Sequence, residues 1–223
     1  ATGTGKTITS ISAAVQIFQS NMTLAVVILV PYKHLVVQWE EELKKFGFRP
    51  VLCFENRSSW TTKAKQMIRK FKAGLEKSLC LLTTHTTGCD KYFQETISQI
   101  PSPWLMIGDE IHHLGSKEFQ KGLSEYATWK IGLSATPDRW YDEIGTKTLR
   151  NYFGDTLINY DIGQAIIDEK LTPYEYNPIC IDLTTDEVEK YVKLSNFIVR
   201  LENSDDRNEN LIKLKKLERT RLI

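Results

Sequence analysis

The first residues with chemistry in them are Gly3, Thr4, Gly5, Lys6 and Thr7, in the run ATGTGKT. Glycines at this spacing bring backbone N–H groups up to phosphate oxygens, the lysine reaches the β- and γ-phosphates, and the Ser/Thr hydroxyl binds Mg²⁺. The run fits the form GxxxxGK[ST], whose first position falls one residue ahead of Ala1. Asp109 and Glu110 form a second group, at the end of the apolar run Trp104 to Gly108. An acidic pair at that position suits a nucleotide hydrolase, with Asp109 on Mg²⁺ and Glu110 placed to orient and deprotonate a water. Ser134 and Thr136, after the run Thr128 to Leu133, make a third.

These groups need elements that bring them together. Ile8, Ile11, Ala14, Val15 and Phe18 recur at helical spacing, so the phosphate loop is expected to open a helix whose positive end faces the phosphates. Thr23 to Val30 and Ser78 to Thr84 are apolar on both faces, as strands buried inside a parallel sheet are. Leu35, Val36, Trp39, Leu43 and Phe46 mark one face of a helix stopped by Gly47. Further elements are expected as a strand at Val51 to Phe54, a basic helix from Thr61 to Lys77, a helix from Asp90 to Ile100 and a short helix from Glu118 to Tyr126. Strand and helix alternate, so the fold class is α/β with a mainly parallel sheet flanked by helices. In such a sheet all three groups open on one edge, where ligands bind.

After Thr136 the pattern loosens. Asp138 to Arg150 reads as irregular, Tyr152 to Tyr160 as a short strand, Ile162 to Lys170 as a helical turn and Tyr174 to Leu183 as extended. Thr184 and Glu187 make a capping box for a helix carrying Val188, Tyr191, Val192, Phe197, Ile198 and Leu201 inward. Leu211, Ile212, Leu214 and Leu217 form a further helical seam, which is expected to meet a missing neighbour.

Composition narrows the possibilities. Over 223 residues, Lys and Arg number 29 against 28 Asp and Glu, so any nucleic-acid binding must be local rather than a global basic footprint. Cys53, Cys80, Cys89 and Cys180 form no CxxC pair, which suggests reduced thiols in a reducing compartment, cytoplasmic or, in a eukaryote, nuclear. The longest apolar run, Leu24 to Val30, is far short of the roughly 20 residues a membrane span needs. Trp39 and Trp129 lie in apolar periodic segments and are expected in the core.

Taken in order, ATGTGKT, PYKHLVVQW, LTTHTT, DEIHH and GLSATPDR resemble the first RecA-like lobe of superfamily 2 DExH-type helicases and translocases. The branch with XPB-type repair helicases and restriction-enzyme motor subunits is the most similar. The resemblance spans Ala1 to about Arg139 and implies ATP and Mg²⁺ as cofactors. By it, Gly3, Thr4, Gly5, Lys6 and Thr7 would bind nucleotide, Thr7 and Asp109 metal, and Lys6, Asp109, Glu110 and His112 would serve catalysis. Ser134 and Thr136 would couple hydrolysis to movement, and Gln38, Thr84 and His85 would touch a nucleic-acid backbone, DNA rather than RNA. It implies a RecA-like ATP-binding lobe over 1–150, and over 151–223 a partly helical linker toward a second lobe missing from this sequence. The alternative is a nucleotide-dependent switch or scaffold that binds ATP without moving along DNA.

Overall fold

The computed structural model describes residues 3–136, 142–173, 175–179, 181–202 and 209–221. Ala1, Thr2, Pro137 to Arg139 and Cys180, which entered the sequence reading, lie outside those residues. The chain divides into two compact units, Ala1–Pro173 and Tyr174–Ile223.

In the first unit α1 (Lys6–Asn21), β1 (Leu24–Val30), α2 (Lys33–Lys45), β2 (Val51–Cys53), α3 (Arg57–Lys72) and β3 (Ser78–Thr84) follow one another. They are succeeded by α4 (His85–Gly88), α5 (Lys91–Ile97), β4 (Leu105–Gly108), β5 (Trp129–Gly132), α6 (Glu143–Phe153) and α7 (Ile162–Ile167). Five strands pair in the order β2-β3-β1-β4-β5, all parallel. β1 is central and buried at all seven positions, which is why LAVVILV carries no polar face. Its alternate residues feed two cores. Ala25, Val27 and Leu29 meet Trp60, Ile68, Phe93 and Ile97 of α3 and α5 on one side. Leu24, Val26, Ile28 and Val30 meet Ile11 and Ala14 of α1 and Val36, Trp39 and Leu43 of α2 on the other. Trp129 packs half-buried against that second core.

The register aligns the strand ends, with Val30 beside Thr84, Leu29 beside Gly108 and Gly108 beside Gly132. Past the strands the edge is stitched further. Asp109 N donates to Leu29 C=O at 2.8 Å, Leu133 N to Gly108 C=O at 2.8 Å, and Ile111 N to Leu133 C=O at 3.0 Å.

Several expected elements differ. The basic helix starts earlier, at Arg57, and the segment expected as a helix over 118–126 is a 3-10 turn, Phe119–Gly122. The stretch expected as irregular up to Arg150 contains α6, capped by Asp142 Oδ1, which accepts from Gly145 N at 2.8 Å. The strand expected over 152–160 is absent among the described residues, because Tyr152 and Phe153 end α6 instead. Tertiary packing decides this. A Cβ on Gly108 would lie 3.2 Å from Phe153 Cζ and one on Gly132 3.0 Å from Phe153 Cγ, so the ring fills a notch that only glycines leave. Tyr152 Oη donates to Ser124 C=O at 2.6 Å. The boundary expected at residue 150 falls inside α6, and the compact unit runs on to Pro173.

The second unit holds α8 (Thr185–Glu202) and α9 (Glu209–Thr220), packed on each other. Thr184 N donates to Glu187 Oε2 at 2.8 Å while Glu187 N donates to Thr184 Oγ1 at 3.4 Å, the expected capping box. Ile198 and Ile212 are buried, whereas Val188, Val192 and Phe197, expected to face inward, are exposed, as are Leu214 and Leu217. The expected seam is therefore only partly covered. Among the described residues no helix is long and apolar enough to cross a membrane.

Candidate nucleotide site

Gly3 and Gly5 have φ of 79° and 84°. Both need the left-handed region that an L side chain enters only with strain, which is the physical reason for glycine at these two positions. Gly5 caps α1 with no side chain on its N–H groups and no acidic residue in the first turn. The leading amides of an α-helix have no acceptor within the helix, an arrangement that suits phosphate oxygens. Thr9 N closes the turn on Gly5 C=O at 2.9 Å. Lys6 and Thr7 are half-buried, and the Lys6 charge acts on Asp109 across the site.

Asp109 leaves β4 and is only 8% exposed. Its Oδ2 accepts from Trp39 Nε1 at 2.9 Å, its Oδ1 from Glu110 N at 3.0 Å, and its carbonyl oxygen lies 2.9 Å from His85 Nε2. Burial pushes the Asp109 carboxyl up, reinforced by the Glu110 charge and opposed by the hydrogen bonds from Trp39 and the Glu110 N–H and by the Lys6 charge. Two neighbouring carboxyls of which one is desolvated favour a cation, which would relieve both penalties.

Glu110 adopts φ 46° and ψ 54°, a left-handed conformation that costs a non-glycine residue about 1 kcal/mol or more. The turn sends the chain into the 3-10 segment Ile111–Gly115 and brings His112 back over Glu110. His112 Nδ1 lies 3.3 Å from Glu110 Oε2 and 3.2 Å from Ser134 Oγ. The Glu110 contact is an ion-pair distance only, since Oε2 finds no hydrogen-bond partner, so the directed bond is the one to Ser134. Ser134 Oγ in turn accepts from Thr136 N at 3.1 Å. Lys6, Asp109, Glu110, His112, Ser134 and Thr136 thus belong to one edge of the sheet.

The remaining expected residues divide. Gln38 is exposed on α2, while Thr84 and His85 are 6% and 2% exposed. Thr84 Oγ1 caps α4 by accepting from Thr87 N at 3.3 Å. His85 is held down to about 4, chiefly by burial, so at neutral pH it is an uncharged donor to a backbone carbonyl. Trp39 was legible only as core. Periodicity reports that a ring is buried, not where its N–H points.

No group of three or more His, Cys, Asp or Glu able to hold a metal occurs among the described residues. Mg²⁺ needs no such group, since it binds through one or two carboxylates and completes its shell with water and phosphate oxygens.

Residues 1–139 match the family model described as "Type III restriction enzyme, res subunit", a stretch of more than half the chain. The chain belongs to this family. It is 26% identical over 216 residues to "DNA 3'-5' translocase XPB2" of Sulfurisphaera tokodaii, covering 92% of this chain and 42% of that protein. It is also 26% identical over 144 residues to "Putative DNA 3'-5' helicase Rad25" of Haloarcula marismortui, covering 63% of this chain and 20% of that protein. The chain thus spans less than half the length of either relative. In fold it is similar to a nuclease-deletion mutant of the Type ISP restriction-modification enzyme LlaGI, with TM-score 0.58, 18% identity and coverage of 92% of this chain and 20% of that one. The Pyrococcus furiosus Hef helicase domain gives TM-score 0.52, 16% identity and coverage of 90% and 42%. Motifs, family and fold agree on a superfamily 2 first RecA-like lobe.

Proposed function

We propose that this lobe binds and hydrolyses ATP with Mg²⁺ as the first motor lobe of a DNA helicase or translocase, working with a second RecA-like lobe of the same protein. The observation that carries the reading is the chain of contacts from Asp109 and Glu110 through His112 to Ser134, which joins the hydrolytic carboxylates to the end of the next strand. A nucleotide-dependent switch that never moved along DNA would have no use for that link.

The amides of the loop around Gly3, Thr4 and Gly5 cradle the phosphates, Lys6 neutralises β/γ oxygens, and Thr7 and Asp109 hold the metal. Bound Mg²⁺ supplies charge neutralisation on the transferred phosphoryl group. Glu110 takes the proton of the attacking water, and His112 passes the change in Glu110's surroundings to Ser134. Gln38, exposed on α2, faces the nucleic-acid backbone, with Thr84 and His85 shaping the edge behind it.

DNA-stimulated ATP hydrolysis by the complete protein tests this reading. Stimulation that vanishes in Lys6→Ala is expected. Hydrolysis unaffected by that substitution overturns it.

A further inference from the structure

The Asp109 carboxylate is unusual in having both oxygens engaged before any ligand arrives. Oδ2 takes the indole N–H of Trp39 at 2.9 Å and Oδ1 takes the N–H of Glu110 at 3.0 Å. The two donors differ in kind. The Glu110 amide belongs to the strained turn that Asp109 itself begins, whereas Trp39 comes from α2, 70 residues away in sequence. The Trp39 ring is 2% exposed and wedged in the core shared by α1, α2 and the sheet. Its N–H is therefore aimed by packing and cannot swing aside without moving α2.

We propose that Trp39 is a positioning residue that fixes the Asp109 carboxylate for one-oxygen ligation, and thereby makes the site select Mg²⁺ over larger divalent cations. The physical argument rests on lone pairs. With one lone pair of each oxygen taken, Asp109 can still meet a cation through a single oxygen, but gripping it symmetrically through both would strain the bond to the indole. Mg²⁺ wants a small octahedral shell of single-oxygen contacts and retained waters. Ca²⁺ takes more ligands and accepts two oxygens from one carboxylate. A tied carboxylate suits the first ion and handicaps the second.

The inference rests on reading Asp109 as a metal-holding group. Binding of the non-hydrolysable analogue AMP-PNP, measured calorimetrically on the complete protein in Mg²⁺ and then in Ca²⁺, gives a ratio of dissociation constants that needs no turnover. Trp39→Phe keeps an aromatic ring in the core and removes the N–H. It is expected to narrow the Ca²⁺/Mg²⁺ ratio by on the order of ten-fold, the scale of a lost hydrogen bond to a charged group. Val36→Ala, one helical turn away in the same core, loosens packing without touching the N–H and should leave the ratio alone. An unchanged ratio in Trp39→Phe, or equal narrowing in both variants, overturns the inference while the metal reading stands. Binding that ignores divalent cations altogether in the wild type overturns both.

Should Trp39→Phe fail to fold, the wild type labelled with ¹⁵N at its five tryptophan indoles answers the question. Adding Mg²⁺ with AMP-PNP should move one indole N–H signal. If none moves, no indole senses the metal carboxylate and the inference fails.

Discussion

His112 Nδ1 stands 3.2 Å from Ser134 Oγ and 3.3 Å from Glu110 Oε2. A single ring nitrogen faces both, and in the tautomer that carries the hydrogen on Nδ1 it can donate to only one of them at a time. The bond goes to Ser134 in the structure described here, and Ser134 already accepts from Thr136 N. A change in charge at Glu110 would compete for the same N–H, so the geometry ties the state of the hydrolytic carboxylate to the loop after β5. His112→Ala should leave AMP-PNP affinity unchanged and reduce the DNA stimulation of hydrolysis by roughly 5- to 150-fold, the usual range of coupling between two sites. ATPase rates with and without DNA check this. A variant that loses nucleotide binding instead would place His112 in the binding site.

Asp109 and Glu110 are adjacent but differently held. Asp109 is tied down by Trp39 and buried, while Glu110 has 27% of its side chain exposed and a buried Oε2 that finds no hydrogen-bond partner. Glu110→Gln should lower turnover by roughly 10²–10⁴-fold, the usual contribution of a general base, with nucleotide still bound. Asp109→Ala should also lose the Mg²⁺ dependence of binding. Nucleotide titrations with and without Mg²⁺ on both variants separate the roles, and equal losses of affinity would merge them.

Gly132 is a packing residue at the site's edge. A Cβ there would lie 2.8 Å from Ile111 Cδ1 and 3.0 Å from Phe153 Cγ, too close for both to stay. Gly132→Ala should cost about 1–3 kcal/mol by overpacking, read as a drop in thermal midpoint of a few degrees per kcal/mol. Ile111→Val deletes the nearer methyl, so the double variant should lose less than the sum of the two singles. Strict additivity of the melting data would mean that the Cβ is accommodated elsewhere.

Much of the lobe was legible in the sequence because its signals are local. The β3 run SLCLLTT forms a strand at both of its expected ends, and Thr184 with Glu187 caps α8 as their spacing requires. α6 was not legible, since its residues include Gly145, Thr146 and Thr148, poor helix formers whose helix is fixed by Phe153 entering the notch at Gly108 and Gly132. That notch is assembled from two other strands. At the site, the loop glycines and the acidic pair stood out by type and spacing. The partners of Asp109 did not, because the hydrogen bonds from Trp39 and His85 join segments 70 and 24 residues apart through directions of side-chain N–H that periodicity does not encode.

His85 sets the acid limit of this edge. Burial lowers it from the usual 6.5 to about 4, and any charge on His112 or His113 pushes in the same direction. The unfolded chain therefore takes up a proton near pH 6.5 while the folded lobe resists it until about pH 4. Since the unfolded state binds more protons in that window, stability rises with pH across it. The contribution is complete above about pH 6.5 and is lost as pH falls through about 4, a difference of about 3 kcal/mol at most. His85→Gln retains a donor toward the Asp109 carbonyl and cannot titrate. Thermal midpoints of the wild type and the variant between pH 7.5 and 4.5 should diverge, with the wild type losing more on acidification. Carboxylates titrating below pH 5 act on both proteins alike, so the comparison isolates the histidine. Parallel curves would show that a charged His85 is tolerated at this edge despite its burial.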